Sequence, residues 1–298
     1  MLTPAGREYV NESLAEELQQ LRDPTSGQAE TSDFSEFVTF HQSFAYEEFV
    51  EGLKPVVSKT EEGAISYEVL AGVFRQICAR AELAWEAQGE QAPKYLLVID
   101  EINRANIAKV FGELITLIED DKRLGRANEL KVRLPYSGHQ FGVPPNLYII
   151  GTMNTADRSI ALLDLALRRR FSFCELMPNP SLLKPVVGID LVAVLSRLND
   201  RVSLLLDRDH QIGHSYFMNV KNEADLYFEW YHRVVPLLQE YFYNDGERLH
   251  AVLGNGFVRK IEHGDLSPEL SELLDTDSPR YELKTLNTEE LISALSAL

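Results

Sequence analysis

The sequence predicts an α/β protein, a parallel sheet with flanking helices, joined to a C-terminal helical domain. Three observations predict it. Tyr95-Leu96-Leu97-Val98-Ile99 is an unbroken apolar run ending in Asp100-Glu101. Such a run suits a strand buried in a parallel sheet, with its charges at the exit. Leu147-Tyr148-Ile149-Ile150-Gly151-Thr152 repeats the plan and ends at Met153-Asn154. Helical periodicity alternates with these runs, and beyond Pro178-Asn179-Pro180 it dominates, so the chain divides there.

The elements follow in order. Tyr9, Val10, Leu14, Leu18 and Leu21 recur at helical spacing over 9–22, and 25–35 is a polar loop. Phe37–Ser43 is a short strand with His41 near its end, a contact residue or a structural imidazole. Ser43 caps a short helix over 44–52. Residues 54–64 form a loop around Pro55 and Gly63, and Tyr67–Glu86 is a long amphipathic helix. After the acidic strand, Ile107, Val110, Phe111, Leu114, Ile115 and Ile118 mark one helical face. Leu130, Val132 and Leu134 alternate with Lys131 and Arg133, the first arm of a hairpin returning near Phe141 and Val143. A helix over 162–169 and a strand over Phe171–Leu176 close the first part. Helices over 189–206 and 223–242, a polar tail from Gly246 and a last helix over 288–297 complete the chain.

Composition narrows the function. The 298 residues are enough for one large domain or two smaller ones. A formal charge of −17 argues against a chain-wide grip on nucleic acid or anionic membrane. Arg168-Arg169-Arg170 is a local basic patch. Cys78 and Cys174 lie far apart in apolar settings, outside any CxxC, and read as core thiols in a reducing compartment. No export signal or span of ~18 apolar residues is evident, so no membrane contact is expected and the location is cytoplasmic.

Carboxylates at a parallel-strand exit suit holding Mg²⁺ and polarising an attacking water. Taken alone, Asp100-Glu101 reads rather as a strand ending in a solvated acidic turn, because short motifs match by chance; Asn154 alone can be a turn residue and the arginine run a solvated basic turn. Four stretches decide among these. They are VTFHQSFAYEEFVEG (38–52), LLVIDEINRANIAKVFGELITLIEDDKR (96–123), YIIGTMNTADRSIALLDLALRRRF (148–171), and IGHSYF (212–217) with PLLQEYFYND (236–245). In this order they resemble an AAA+ P-loop NTPase of the McrB-like branch, from modification-dependent restriction systems.

The resemblance implies an AAA+ large α/β domain over 1–177, a helical lid over 178–245 and a tail over 246–298. It makes Asp100 the Walker B carboxylate, holding Mg²⁺ through water, and Glu101 the residue that polarises the attacking water. Asn154 becomes sensor 1, with Asp157 and Arg158 in the signature beside it. Arg169 and Arg170 fall in the arginine-finger region, which serves a neighbouring subunit's site. His214 or Ser215 stands where a sensor-2 contact is expected; the arginine common there in other branches is absent. The implied activity is GTP or ATP hydrolysis in a homo- or hetero-oligomeric, hexameric ring that drives an McrC-like nuclease. DNA is contacted only indirectly, through a separate domain or subunit.

One part departs from the pattern. The 298 residues contain no GxxxxGK[ST] phosphate loop. The helix over 9–22 resembles the one that follows the loop, which sets Gly6-Arg7-Glu8 where Gly-Lys-[Ser/Thr] would stand. Glu8 would repel phosphate. The expectation is a chain truncated before or within that loop, lacking the first core strand and without hydrolytic activity alone. A non-catalytic ring subunit lending an arginine in trans is the rival. A MoxR-like remodeller is a further alternative, opposed by the FHQS and MNTADRS stretches.

Overall fold

The computed structural model describes residues 34–57, 65–155, 165–261 and 280–298. The chain falls into two compact units, Met1–Cys174 and Glu175–Leu298. The expected helix over 9–22, Gly6-Arg7-Glu8, Asp157 and Arg158 lie outside the described residues.

In the first unit β1 (Ser35–Thr39) is followed by α1 (Tyr46–Phe49) and a hairpin of β2 (Glu51–Val57) and β3 (Ile65–Ala71). Then come α2 (Val73–Gln88), β4 (Tyr95–Asp100) and α3 (Ile107–Phe111). A small hairpin of β5 (Val132–Arg133) and β6 (Gln140–Phe141), β7 (Leu147–Gly151) and α4 (Leu165–Arg168) complete it. β1, β4 and β7 form a parallel sheet in that order, with Thr39 opposite Asp100 and Ile99 opposite Gly151. The three carboxyl ends are therefore level, which builds the crevice where open parallel sheets take ligands. Tyr95, Leu97 and Ile99 bury one face of β4. Phe49 stacks on Phe74 at 5.0 Å and tilts against Phe111 at 4.8 Å, fastening α1, α2 and α3 together. Each such buried ring contributes about 2–3 kcal/mol.

Four sequence expectations change. Residues 51–57 and 65–71 pair as strands where a loop and the start of a helix were expected. Leu70, Val73 and Phe74 mimic helical spacing, but Ile65-Ser-Tyr-Glu-Val alternates in the strand period. The ribbon has only two strands, so Pro55 can face its open edge without losing a ladder bond. α2 then starts after Gly72, where a Cβ would sit 2.4 Å from the Phe49 backbone. Next, the helix through Ile118 breaks at Gly112, which has φ +52° and caps α3. Its continuation, Gly112–Thr116, is a 3₁₀ turn. α1 opens at Ala45 rather than Ser43, with the Ala45 N–H donating to Glu48 at 3.3 Å. Finally, Phe171–Leu176 is not a strand and Cys174 is exposed, whereas Cys78 is buried as expected. A strand needs a hydrogen-bonding neighbour, and β7 is the sheet edge among the described residues.

Two buried charges order the loops. Arg123 donates to the carbonyls of Ile118, Pro144 and Leu147, which ties the end of the α3 region to the entry of β7. Glu51 is fully buried; it pairs with Arg75 and accepts the Tyr136 and Ser137 N–H groups at 3.0 and 2.9 Å, joining the two hairpins. Burial pushes the Glu51 pKa up, but hydrogen bonds from Ser137 and Tyr136 together with Arg75 outweigh it and leave the pKa lowered. A lowered carboxylate stabilises the fold above its unfolded pKa of about 4.3 and loses that contribution as pH falls through the folded value. Glu51→Gln is therefore expected to flatten the acid limb of a pH–stability curve, read from urea melts between about pH 6 and pH 3.

The second unit is built on α5 (Leu191–Leu205), capped by Asp190, whose carboxylate accepts from Val192 and Ala193 N–H at 3.0 and 3.1 Å. α6 (Glu223–Glu229) runs through a π-helical stretch, Trp230–Val234, into α7 (Val235–Tyr241). Pro236 cannot donate to the helix ladder, and a widened turn before it accommodates that loss. α8 (Gly246–Leu253), a hairpin of β8 (Val258–Ile261) and β9 (Arg280–Leu283), and α9 (Thr288–Ala297) follow. Residues from 246 onward were expected as a polar tail. Val252, Phe257, Val258, Leu291 and Leu295 instead bury against the same core as Leu198 and Trp230. Their apolar positions are sparse in sequence because each short element supplies only one or two.

Candidate functional site

The site grows from the tips of β4 and β7. Asp100 ends β4, and its Oδ1 accepts the Thr152 hydroxyl at 2.6 Å. Thr152 does more than hold that carboxylate. Its Oγ1 accepts the Glu101 N–H at 3.3 Å, its carbonyl accepts the Ile102 N–H at 2.9 Å, and its own N–H donates to Ile99 at 2.9 Å. One side chain and one peptide thus latch the two strand exits together.

The latch explains the backbone at Glu101, which is left-handed at φ 55°, ψ 45°. A non-glycine residue there is strained by roughly 1–3 kcal/mol and persists only where its surroundings impose it. The turn lifts the Glu101 carboxylate out of line with the strand, toward Arg104, whose Nε lies 3.2 Å from Oε2. The rest of the motif reads off in the same way. Ile102 is buried beneath Gly151, where a Cβ would come within 2.9 Å of its Cδ1. Asn103 donates to the Asn154 carbonyl at 3.4 Å. Asn106 caps α3 by accepting the Lys109 N–H at 3.1 Å. Ile102, Asn103, Arg104 and Asn106 of DEINRAN thus each have a structural task around the two strand exits.

Asp100, Glu101 and Asn154 lie at or just beyond the level ends of the neighbouring strands β4 and β7, where Asn103 reaches the Asn154 carbonyl. Arg168, Arg169 and Arg170 diverge. Arg168 lies over the Phe173 ring at 5.9 Å, Arg170 meets Glu119 at 2.8 Å, and Arg169 is exposed. His214 and Ser215 lie in the second unit, on the 3₁₀ turn His214–Tyr216. His214 Nδ1 accepts the Asn179 N–H at 3.1 Å. His41 is exposed, with its ring edge-on to Phe44 at 5.5 Å. Thr152, Asn103 and Arg104 are the residues that sequence reasoning missed. The available signal for Thr152 was a hydroxyl at the level of Asp100 on the neighbouring strand.

The donor set is all oxygen: two carboxylates and a hydroxyl, with one Asp100 oxygen already engaged. This suits a hard divalent cation such as Mg²⁺ held through water rather than a softer metal. Thr152→Val, which keeps the shape and removes the hydroxyl, is expected to leave the fold intact. Amide exchange at Glu101 and Ile102 should rise about tenfold, in line with the loss of a hydrogen bond to a charged group, and Thr152→Ser should restore protection.

Comparison with known proteins matches this geometry. Residues 13–171, more than half of the chain, match the AAA domain of the dynein-related subfamily. The chain belongs to the AAA family. Residues 190–250 match the alpha-helical lid domain of McrB, which makes this AAA protein McrB-like, with its lid domain within the second unit. It is 37% identical over 231 residues to the type IV methyl-directed restriction enzyme EcoKMcrB subunit of Escherichia coli (strain K12), covering 70% of this chain and 47% of that one. It is 29% identical over 165 residues to the type II restriction enzyme BsuMI component YdiS of Bacillus subtilis (strain 168), covering 46% of each. The chain thus spans about half the length of the curated relatives it matches. No helix of the described residues is long and apolar enough to cross a membrane.

Proposed function

We propose that this chain is the AAA motor portion of an McrBC-like, methylation-dependent DNA restriction system, a cytoplasmic protein acting on GTP or ATP with Mg²⁺. The observation that carries the reading is the latched tip Asp100-Glu101-Thr152, continued by a motif whose Arg104 meets the Glu101 carboxylate. The relatives are restriction-enzyme components by name, which supplies the biological setting.

Bound Mg²⁺ would neutralise phosphate charge. The chain's own residues do the rest. Asp100 orients the ion's water shell through its oxygens. Glu101 takes the proton of the water that attacks the γ-phosphorus, as the bond to the bridging oxygen breaks and the nucleoside diphosphate leaves. Asn154 orients that water. Asp157 and Arg158 continue the signature beside it, and His214 or Ser215 serves the lid side. Arg169 or Arg170 reaches a neighbouring subunit's site in a hexameric ring. An McrC-like nuclease is the partner that turnover drives, and DNA is reached through a separate domain or subunit.

A second reading has an observation of its own. The 298 residues contain no GxxxxGK[ST] motif, the sequence whose backbone N–H groups ordinarily cradle phosphate. The chain would then act as a ring subunit that lends an arginine in trans. Mixing it with an McrB-type subunit that keeps its phosphate loop but has lost its own finger arginine tests both readings. Turnover of GTP or ATP restored by this chain supports the AAA ring reading; a mixture as inactive as its parts refutes it.

A further inference from the structure

The second unit opens with a strap, residues 175–183, fastened at two points to the segment 207–216. Arg208 Nη2 donates to Glu175 Oε2 at 2.6 Å, and the Asn179 N–H donates to His214 Nδ1 at 3.1 Å. The second bond is singular in its chemistry. Asn179 is flanked by Pro178 and Pro180, which have no N–H, so it supplies the one backbone donor of that tripeptide. Its side chain is occupied elsewhere, with Oδ1 accepting from the Ser181 N–H and hydroxyl at 3.2 and 2.6 Å.

The anchor side is firm. Ile212 is fully buried, and Asn199 from α5 grips its peptide both ways, accepting its N–H at 2.7 Å and donating to its carbonyl at 3.0 Å. Asp207 accepts the Asp209 and His210 N–H groups at 2.9 and 3.2 Å. On the strap side Leu183 is buried and its N–H donates to Pro180 at 2.9 Å. An imidazole that accepts at Nδ1 carries its proton on Nε2.

We propose that His214 is a positioning residue that clasps the strap to the lid through Nδ1. Residues 175–183 then belong to the lid as a rigid piece. The division between the two units then falls before Glu175 rather than at Pro178-Asn179-Pro180. The assignment uses contacts within the lid unit alone and stands whether or not the chain handles nucleotide.

The test exploits two isosteres in the full chain. Asparagine places its Oδ1 where the imidazole has Nδ1, whereas glutamine reproduces the Nε2 end. His214→Ala and His214→Gln are expected to speed exchange of the Asn179 amide about fivefold to tenfold, and His214→Asn to stay within about twofold of wild type. Protection of α5 and the fluorescence of buried Trp230 report that the lid core is intact. Unchanged Asn179 exchange in His214→Ala, or protection by glutamine as good as by asparagine, overturns the proposal. Nitrogen shifts of the His214 ring in wild type give a reading free of any folding effect. The Nε2–H tautomer is expected, and an Nδ1–H tautomer overturns the clasp.

Discussion

Arg169→Ala is expected to abolish the turnover that this chain is proposed to add to mixed rings, with a loss of about 10³-fold at the sites it would serve. The magnitude follows from what a finger does. A guanidinium placed against the transferring phosphoryl group neutralises charge that develops only in the transition state, in a site from which water is excluded. Geometry selects Arg169 among three neighbours. Arg170 is committed to Glu119 at 2.8 Å and its N–H donates to Leu167 at 2.8 Å, while Arg168 rests on Phe173. Arg169 is left projecting from a turn that its neighbours hold. Arg170→Ala should therefore cost less, about tenfold, by loosening that turn. Steady-state hydrolysis of GTP and ATP in the mixture, at saturating nucleotide, separates the two. Loss with Arg170→Ala and none with Arg169→Ala would move the role by one residue.

Arg123→Ala is expected to destabilise the first unit by about 3 kcal/mol, because the Ile118 and Leu147 carbonyls lose their guanidinium donor. Arg123 is 9% exposed, and its guanidinium serves three backbone carbonyls, those of Ile118, Pro144 and Leu147. Burial pulls its pKa down, opposed by Asp120. Asp120 is itself fully exposed, so the carbonyl bonds matter more than that ion pair. Urea unfolding followed by Trp85 fluorescence should show the midpoint falling by about 1–2 M. Because Trp230 sits in the other unit, a selective change at Trp85 would locate the effect. A shift below about 0.3 M would mean that water satisfies those carbonyls.

Much of this was legible in the residues. The β4 and β7 strands announced themselves because both are long apolar runs, and helix α5 because helical periodicity runs over 189–206. The hairpin β2–β3 was not legible, because Leu70, Val73 and Phe74 satisfy the helical period across a boundary that only the close approach at Gly72 reveals. The strand expected over Phe171–Leu176 failed for a different reason: its sequence is competent, but pairing depends on a neighbour that no local pattern can supply. At the site, the ionisable residues stood out as such. Thr152 did not, since a threonine at the end of a strand is ordinary until its hydroxyl is seen 2.6 Å from Asp100. The lid's last elements were hidden because their buried residues are spread over short segments that join only in three dimensions.

The central proposal is that Asp100-Glu101 forms the carboxylate half of a nucleotide site, in a sequence that carries no GxxxxGK[ST] motif. It is tested most directly by GTP and ATP hydrolysis with Mg²⁺ in the purified chain alone, alongside Glu101→Gln. The account predicts that both proteins stay at background. Hydrolysis by the wild-type chain that Glu101→Gln abolishes would contradict it.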